Sequence, residues 1–198
     1  LYKGTKTVNF NIRPATVTGL KVSSTGEKSI KLSWKKVTGA DSYAIYRYDN
    51  TSKKWQRIKT VKAVSFTDSG LARAKGYSYK VKAVKKSGGK EYISASYSKA
   101  VEAVTKPAKA SCTAKSAGSG SIEVSWKAVG GASGYEIYSS SNGSDYVKSA
   151  KVGGSQKSAI VSGFEPYSLR MVKVRAYKTV NGKTSYGAFS QAVMVIVR

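Results

Sequence analysis

The stretch Lys53-Lys54-Trp55-Gln56-Arg57 sets one tryptophan among three cations. An indole so placed either covers its own sheet or offers a flat ring for stacking against a sugar or another polymer. A second set of candidates comes from Tyr43-Ala44-Ile45-Tyr46-Arg47-Tyr48. Successive side chains of a strand face opposite ways. With Tyr43 and Ile45 inward, Ala44, Tyr46 and Tyr48 face out. The alternation Tyr77-Ser78-Tyr79-Lys80-Val81-Lys82-Ala83 predicts a strand whose Lys80 and Lys82 lie beside those tyrosines. Tyrosine next to lysine suits cation–π pairing within the face. The same face also suits an anionic polymer, such as a teichoic acid or an acidic glycan.

Catalytic chemistry finds little to work with. Histidine is absent, which removes the commonest general base and metal ligand. The acids Asp41, Asp49, Asp68, Glu91, Glu123 and Glu136 are scattered, and no pair has spacing that argues for a shared site. Serines are plentiful but have no histidine partner. The glycine-rich Ala117-Gly118-Ser119-Gly120 lacks the lysine and following helix of a phosphate loop. Cys112 is the single cysteine, so neither an intrachain disulfide nor a cysteine zinc site is available. It is expected on a first strand as a small hydrophobe. No catalytic residue, metal ligand or cofactor is predicted.

The elements that must position the aromatic and basic residues come in two copies. Lys28 to Arg47, KSIKLSWKKVTGADSYAIYR, returns as Gly120 to Ser139, GSIEVSWKAVGGASGYEIYS. Trp34 matches Trp126 and Tyr43 matches Tyr135, 92 residues apart. Ser69-Gly70-Leu71 matches Ser162-Gly163-Phe164 at 93, and Ser98-Lys99-Ala100-Val101 matches Ser190-Gln191-Ala192-Val193 at 92. One insertion and one loss, both in loops, account for the change. A period this long means tandem domains, since solenoid periods run roughly 20 to 50 residues. Ile30, Leu32 and Trp34 alternate with polar residues, as do Ile122, Val124 and Trp126. Turn signals such as Gly88-Gly89, Asn142-Gly143 and Asn181-Gly182 separate the strands. Seven or so short strands per unit predict an all-β sandwich.

With Trp34 and Trp126 on strands, Gly-Ala-x-x-Tyr-x-Ile-Tyr at Gly39–Tyr46 and Gly131–Tyr138, and Leu71 six residues before Tyr77, the chain resembles the fibronectin type III family in its bacterial form. The resemblance implies two immunoglobulin-like (fibronectin type III) β-sandwiches in tandem, over 14–106 and 107–198, with a boundary near Lys106-Pro107-Ala108. Residues 1–13 fall outside both and read as a remnant strand of a preceding domain or an N-terminal arm. In the family the tyrosine at position 77 ties a corner loop to backbone. The second repeat has Arg170 there, so either Arg170 or Tyr167 must substitute, or the corner is looser. A lost buried hydrogen bond costs about 1 kcal/mol, which predicts a less stable second repeat. No Arg-Gly-Asp occurs, so the family's integrin-binding loop does not carry over.

Charge is the extreme property of the chain. It has 35 basic against 10 acidic residues, a net +25. Residues 1–106 hold 23 and 6, giving +17, and 107–198 hold 12 and 4, giving +8. Such a field attracts polyanions or keeps a crowded surface soluble. No recognised nucleic-acid motif is present, so that partner is not expected, and no apolar run is long enough for membrane insertion. Leu1, where a Met would stand, reads as the start of an excised segment. The expectation is an extracellular, bacterial cell-surface location and a non-catalytic spacer or presentation pair. Its partners are flanking domains of the same chain and an anionic cell-wall polymer or glycan. The rival expectation is a dedicated ligand binder, a carbohydrate-binding module or host adhesin. Trp55, Tyr46, Tyr48, Lys80 and Lys82 are the candidate binding residues for either role.

Overall fold

A computed structural model describes residues 13–198; the expected strand or arm before them lies outside the described residues. Every regular element described is a strand. The first repeat contains β1 (Lys21–Thr25), β2 (Ser29–Ser33), β3 (Ser42–Asp49), β4 (Lys54–Val61), β5 (Ser65–Ser69), β6 (Gly76–Ser87), β7 (Lys90–Ile93) and β8 (Val101–Val104). The second contains β9 (Thr113–Gly118), β10 (Ser121–Ser125), β11 (Gly134–Ser140), β12 (Val147–Gly153), β13 (Ser158–Ser162), β14 (Leu169–Val180), β15 (Lys183–Tyr186) and β16 (Val193–Ile196).

Each repeat folds into one three-stranded and one five-stranded sheet. The small sheets run β1-β2-β5 and β9-β10-β13. The large ones run β4-β3-β6-β7 and β12-β11-β14-β15, with β8 and β16 also paired to β6 and β14. Among the described residues no ladder joins β1–β8 to β9–β16. By backbone contacts the described chain divides into two compact units, one holding 13–23, 31–67 and 78–102, the other holding 24–30, 68–77 and 103–198, so the division does not coincide with the repeat boundary.

Alternation builds the cores. Ile30 and Leu32 on β2, and Tyr43 and Ile45 on β3, are buried at the interval of two that a strand requires. Trp34 and Trp126 are 5% and 6% exposed, which puts both indoles inside their sandwiches. Trp34 meets Tyr43 edge-on at 5.4 Å between ring centroids, and Trp126 meets Tyr135 at 5.1 Å. The tyrosine hydroxyls reach further. Tyr43 Oη accepts the Val37 N–H at 2.9 Å, and Tyr135 Oη accepts the Val129 N–H at 2.7 Å. Gly88-Gly89 and Asn181-Gly182 all have positive φ, the backbone that a two-residue hairpin with right-handed strand twist demands.

Eight strands form in each repeat, one more than the sequence suggests, because the last is broken in two. Between β7 and β8 the chain leaves the ladder, and buried serines stand in for it. Ser94 Oγ accepts the Ala83 N–H at 3.3 Å and Ser98 Oγ accepts the Val81 N–H at 3.0 Å. In the second repeat Ser190 Oγ accepts the Val174 N–H in the same way at 3.0 Å.

Registers revise the sequence alignment. Tyr46 pairs with Arg57, and its match Tyr138 with Lys148, so β4 and β12 are offset by 91, not 92. The second repeat therefore loses one residue in the β3–β4 loop, gains two before β13, and loses one before Ser190. Compensating changes hid this from a reading of one insertion and one loss. Cys112 is also displaced from its expected strand. It lies just ahead of β9, half-buried, with Sγ 3.1 Å from Ser190 Oγ.

The two corners differ as the sequence indicates. Tyr77 Oη accepts the Ala72 N–H at 2.9 Å. Arg170 instead lays its guanidinium over the Phe164 ring, 5.0 Å from the centroid, and its buried Nε has no partner among the described residues. Tyr167 does not substitute, because it is 85% exposed. One term opposes this asymmetry: Trp126 Nε1 donates to the Gln156 carbonyl at 3.1 Å, whereas Trp34 Nε1 has no partner among the described residues. Separate thermal melts of 14–106 and 107–198 are expected to rank the second lower. Arg170→Tyr should raise it by about 1 kcal/mol, and no gain would mean that the stacked arginine already serves the corner as well.

Candidate functional site: a cation–aromatic face on each large sheet

Register brings the two candidate sets together. Tyr46 lies opposite Lys80 on β6 and Arg57 on β4, and Tyr48 lies opposite Trp55. A bulge between Ile45 and Tyr46 leaves Ile58 unpaired in β4. One extra residue reverses which side chains face out. Beyond the bulge Trp55 and Arg57 therefore join the outer face, where strict alternation from Thr60 would have turned them inward. β12 has the same bulge between Ile137 and Tyr138.

All five candidates, Trp55, Tyr46, Tyr48, Lys80 and Lys82, thus share one face, and all five are half-buried. Tyr97 completes it. Carried by the break between β7 and β8, Tyr97 meets Tyr46 edge-on at 5.0 Å and lies 6.5 Å from Trp55. Lys80 Nζ stands 4.5 Å from the Trp55 centroid and 5.3 Å from Tyr97. Lys82 Nζ stands 4.3 Å from Tyr97 and donates to the Ala95 carbonyl at 3.0 Å. Across the sheet Arg57 on β4 donates to Glu91 on β7 at 3.0 Å, with Ala44 fully buried on β3, one of the two strands between. That hydrogen bond holds the Glu91 carboxyl below its ordinary range. Burial pushes the Tyr46 phenol up.

Sequence reasoning missed Tyr97, Arg57 and Glu91 as members of this face. A signal for Tyr97 existed: an aromatic precedes the matched serine in both repeats, Tyr97 before Ser98 and Phe189 before Ser190.

The second repeat rebuilds the face with other residues. Lys173 Nζ lies 3.5 Å from the Tyr146 centroid and 4.6 Å from Phe189. The Arg175 guanidinium lies 4.1 Å from Tyr186, 4.8 Å from Phe189 and 5.2 Å from Tyr138. Glu136 stands where Ala44 does, and it is 1% exposed. Arg175 Nε and Nη2 donate to Glu136 Oε2 at 2.9 and 2.7 Å, and Lys148 Nζ to Oε1 at 3.3 Å. Burial alone would raise the Glu136 pKa. Its bonds to Arg175 and Lys148 outweigh that and hold it below 4.5.

Chemically, each face is a layer of cations sandwiched by rings, with one acid set into it. It holds neither an activated nucleophile nor, among the described residues, a cluster of metal ligands. Glu136 makes the second face acid-sensitive. Its folded-state pKa is depressed, so its contribution is complete above about pH 4.5 and is lost as pH falls through the folded value. Glu136→Ala should cost roughly 3 kcal/mol at neutral pH by leaving Arg175 unpaired. Glu136→Gln should flatten the decline in stability below pH 4.5, measured as unfolding midpoint against pH. An unchanged decline would place the sensitivity elsewhere.

No family model matches the chain. A poly(3-hydroxybutyrate) depolymerase of Ralstonia pickettii is 43% identical over 100 residues, half of this chain and 18% of that protein. A second, from Delftia acidovorans, is 33% identical over 99 residues, again half of this chain and 19% of that protein. The chain therefore spans less than a fifth of the length of these curated relatives. Among solved structures, a two fibronectin type-III domain segment of chicken tenascin aligns over 91% of this chain and 99% of its own, at 18% identity and a TM-score of 0.54. Paired sheets, buried tryptophans and this alignment agree: the chain carries the fibronectin type III fold, once in each repeat.

Proposed function

We propose that the chain is a non-catalytic pair of spacer modules from a longer extracellular bacterial protein, and that it presents a polymer-degrading domain to its substrate. The carrying observation is the mutual engagement of the outer faces. The cations and rings that would grip a specific ligand are satisfied by one another, in both repeats and with different residues. A fold that rebuilds the same self-contained face from different side chains is maintaining a surface. The depolymerase relatives favour a polyester-cleaving parent, because the matched segment is a small part of each and most of either protein lies outside it. In this reading the net charge of +25 rests the modules loosely on anionic wall polymer or glycan, with flanking domains of the same chain as the other partners.

A dedicated binder is the second reading. Half-exposed Trp55 beside Tyr48, at 5.3 Å, is the observation that favours it. Titration with heparin, teichoic acid and a neutral polysaccharide separates the two. The spacer reading expects weak binding to each polyanion, abolished by moderate salt because exposed charges are screened within about 10 Å at 0.1 M. Saturable binding of the neutral polysaccharide, lost in Trp55→Ala, would establish the binder instead.

A further inference from the structure

Four large apolar side chains stand open at one end of the second repeat. Tyr167 is 85% exposed, Leu169 38%, Met194 61% and Ile196 62%. Leu169 and Ile196 are cross-strand partners, and Met194 lies one pair further along β16, on the same side. The Tyr167 N–H donates to the Val197 carbonyl at 2.8 Å, which ties Tyr167 to the end of the last strand. Contiguous apolar surface of this kind marks a contact.

The first repeat shows what lies against the same place. Its corner is built alike. The Thr105 N–H donates to the Lys75 carbonyl and the Val197 N–H to the Ser168 carbonyl, each at 3.0 Å. Ala74 and Tyr167 share a left-handed backbone, φ 48° and 60°. Ala74, Gly76 and Val104 thus match Tyr167, Leu169 and Ile196. Yet Ala74 and Val104 are each only 5% exposed. Val104 follows the core residue Ala103, so its side chain leaves the sheet on the outer side and needs a cover from elsewhere. Residues of the second repeat close on this corner. A β-carbon on Gly76 would stand 2.9 Å from Val180 Cγ1, and one on Gly131 would stand 3.1 Å from Ala74 Cβ. Gly131 lies in the loop before β11 and Val180 ends β14 at its hairpin, so two loop tips press on the corner. All of these residues fall in one compact unit, with 68–77 grouped with the second repeat.

The occupant of the matching surface follows from this. On the first repeat the corner is a seat for loop tips of the module next in the chain. On the second repeat the seat has the same backbone frame, and among the described residues it stays open. β16 runs toward its corner as β8 runs toward the first, so any chain beyond Arg198 emerges there. The side chains are also larger: tyrosine for alanine, leucine for glycine, isoleucine for valine, and Met194 in place of Glu102. That bulk has no use on a corner facing water. It also bars a copy of the Gly131 and Val180 tips seated as on the first repeat, because Val180 leaves no room for even a β-carbon at position 76. The partner must therefore be apolar and carry smaller side chains at its loop tips than the second repeat does.

We propose that Tyr167, Leu169, Met194 and Ile196 form the seat of a further module of the same longer chain, which follows Arg198 and presses small-tipped apolar loops onto them. The inference rests on the longer parent proposed above, though not on what that parent degrades. The test is hydroxyl-radical footprinting, read by mass spectrometry, of the parent protein and of the 198-residue chain. Side-chain oxidation follows exposure, so Tyr167 and Met194 are expected to react about fivefold more slowly in the parent. Ile160 on β13, 65% exposed, should react alike in both. Tyr167→Ala with Ile196→Thr in the parent should return Met194 to within about twofold of its rate in the shorter chain. Melting curves of the same variant in the 198-residue chain establish that it folds. Equal Tyr167 and Met194 rates in parent and shorter chain would overturn the proposal, as would a parent with no module after Arg198. So would protection that appears only when polymer is added, since the polymer would then be the occupant. A dimer of the shorter chain, seen by sedimentation, with Tyr167 already protected would overturn it in favour of a second copy. Equal rates beside weak, salt-sensitive polyanion binding would sink this inference alone and leave the spacer reading standing.

Discussion

Each sandwich turns on a tryptophan one residue past the central strand of the small sheet, just beyond the strand on which the sequence placed it, packed against a tyrosine of the large sheet. Trp34 with Tyr43, and Trp126 with Tyr135, fill the space between sheets where they meet. Each tyrosine also accepts a backbone N–H from the loop between those strands, at Val37 or Val129. One aromatic pair therefore fixes sheet separation and loop path together. It also fixes which side of β3 and β11 faces water. With Tyr43 and Ile45 committed inward, Tyr46 has nowhere to go but out, and the outer face follows.

On that face the problem is excess positive charge. The sheet faces meet it in two ways. Aromatic rings take the lysine and arginine heads, each contact worth roughly 0.5–1 kcal/mol where exposed. One acid is also set among the cations: Glu91 on an edge strand in the first repeat, Glu136 on an interior strand in the second. The interior choice is the costlier to desolvate and needs more partners, and Glu136 has them: Arg175 donates twice to Oε2 and Lys148 donates to Oε1.

The fold was legible in the sequence because period-two alternation and two tryptophans 92 residues apart leave few other arrangements. The inward Tyr43 and the outward Tyr46, Tyr48, Lys80 and Lys82 followed from the same rule. Trp55 escaped it, since a bulge at Ile58 reverses parity and nothing in the local residue types announces the bulge. Tyr97 escaped because it belongs to no strand and reaches the face from an irregular crossing. Glu136 read as one more scattered acid; its burial depends on Arg175, 39 residues away, which no local pattern encodes. Arg170 announced a changed corner but not its solution, the stack on Phe164.

The break between β7 and β8 bears on how such modules coexist. A free sheet edge is a template on which another chain can add a strand, and neighbouring look-alike domains are well placed to do so. Here the last strand survives only as two four-residue pieces in each repeat. The interruption between them is occupied by serine hydroxyls already bonded inward. On that side of each large sheet no long ribbon is left for a sister module to zip onto, so the irregularity that displays Tyr97 also blunts that edge; the opposite edges are the longer β4 and β12.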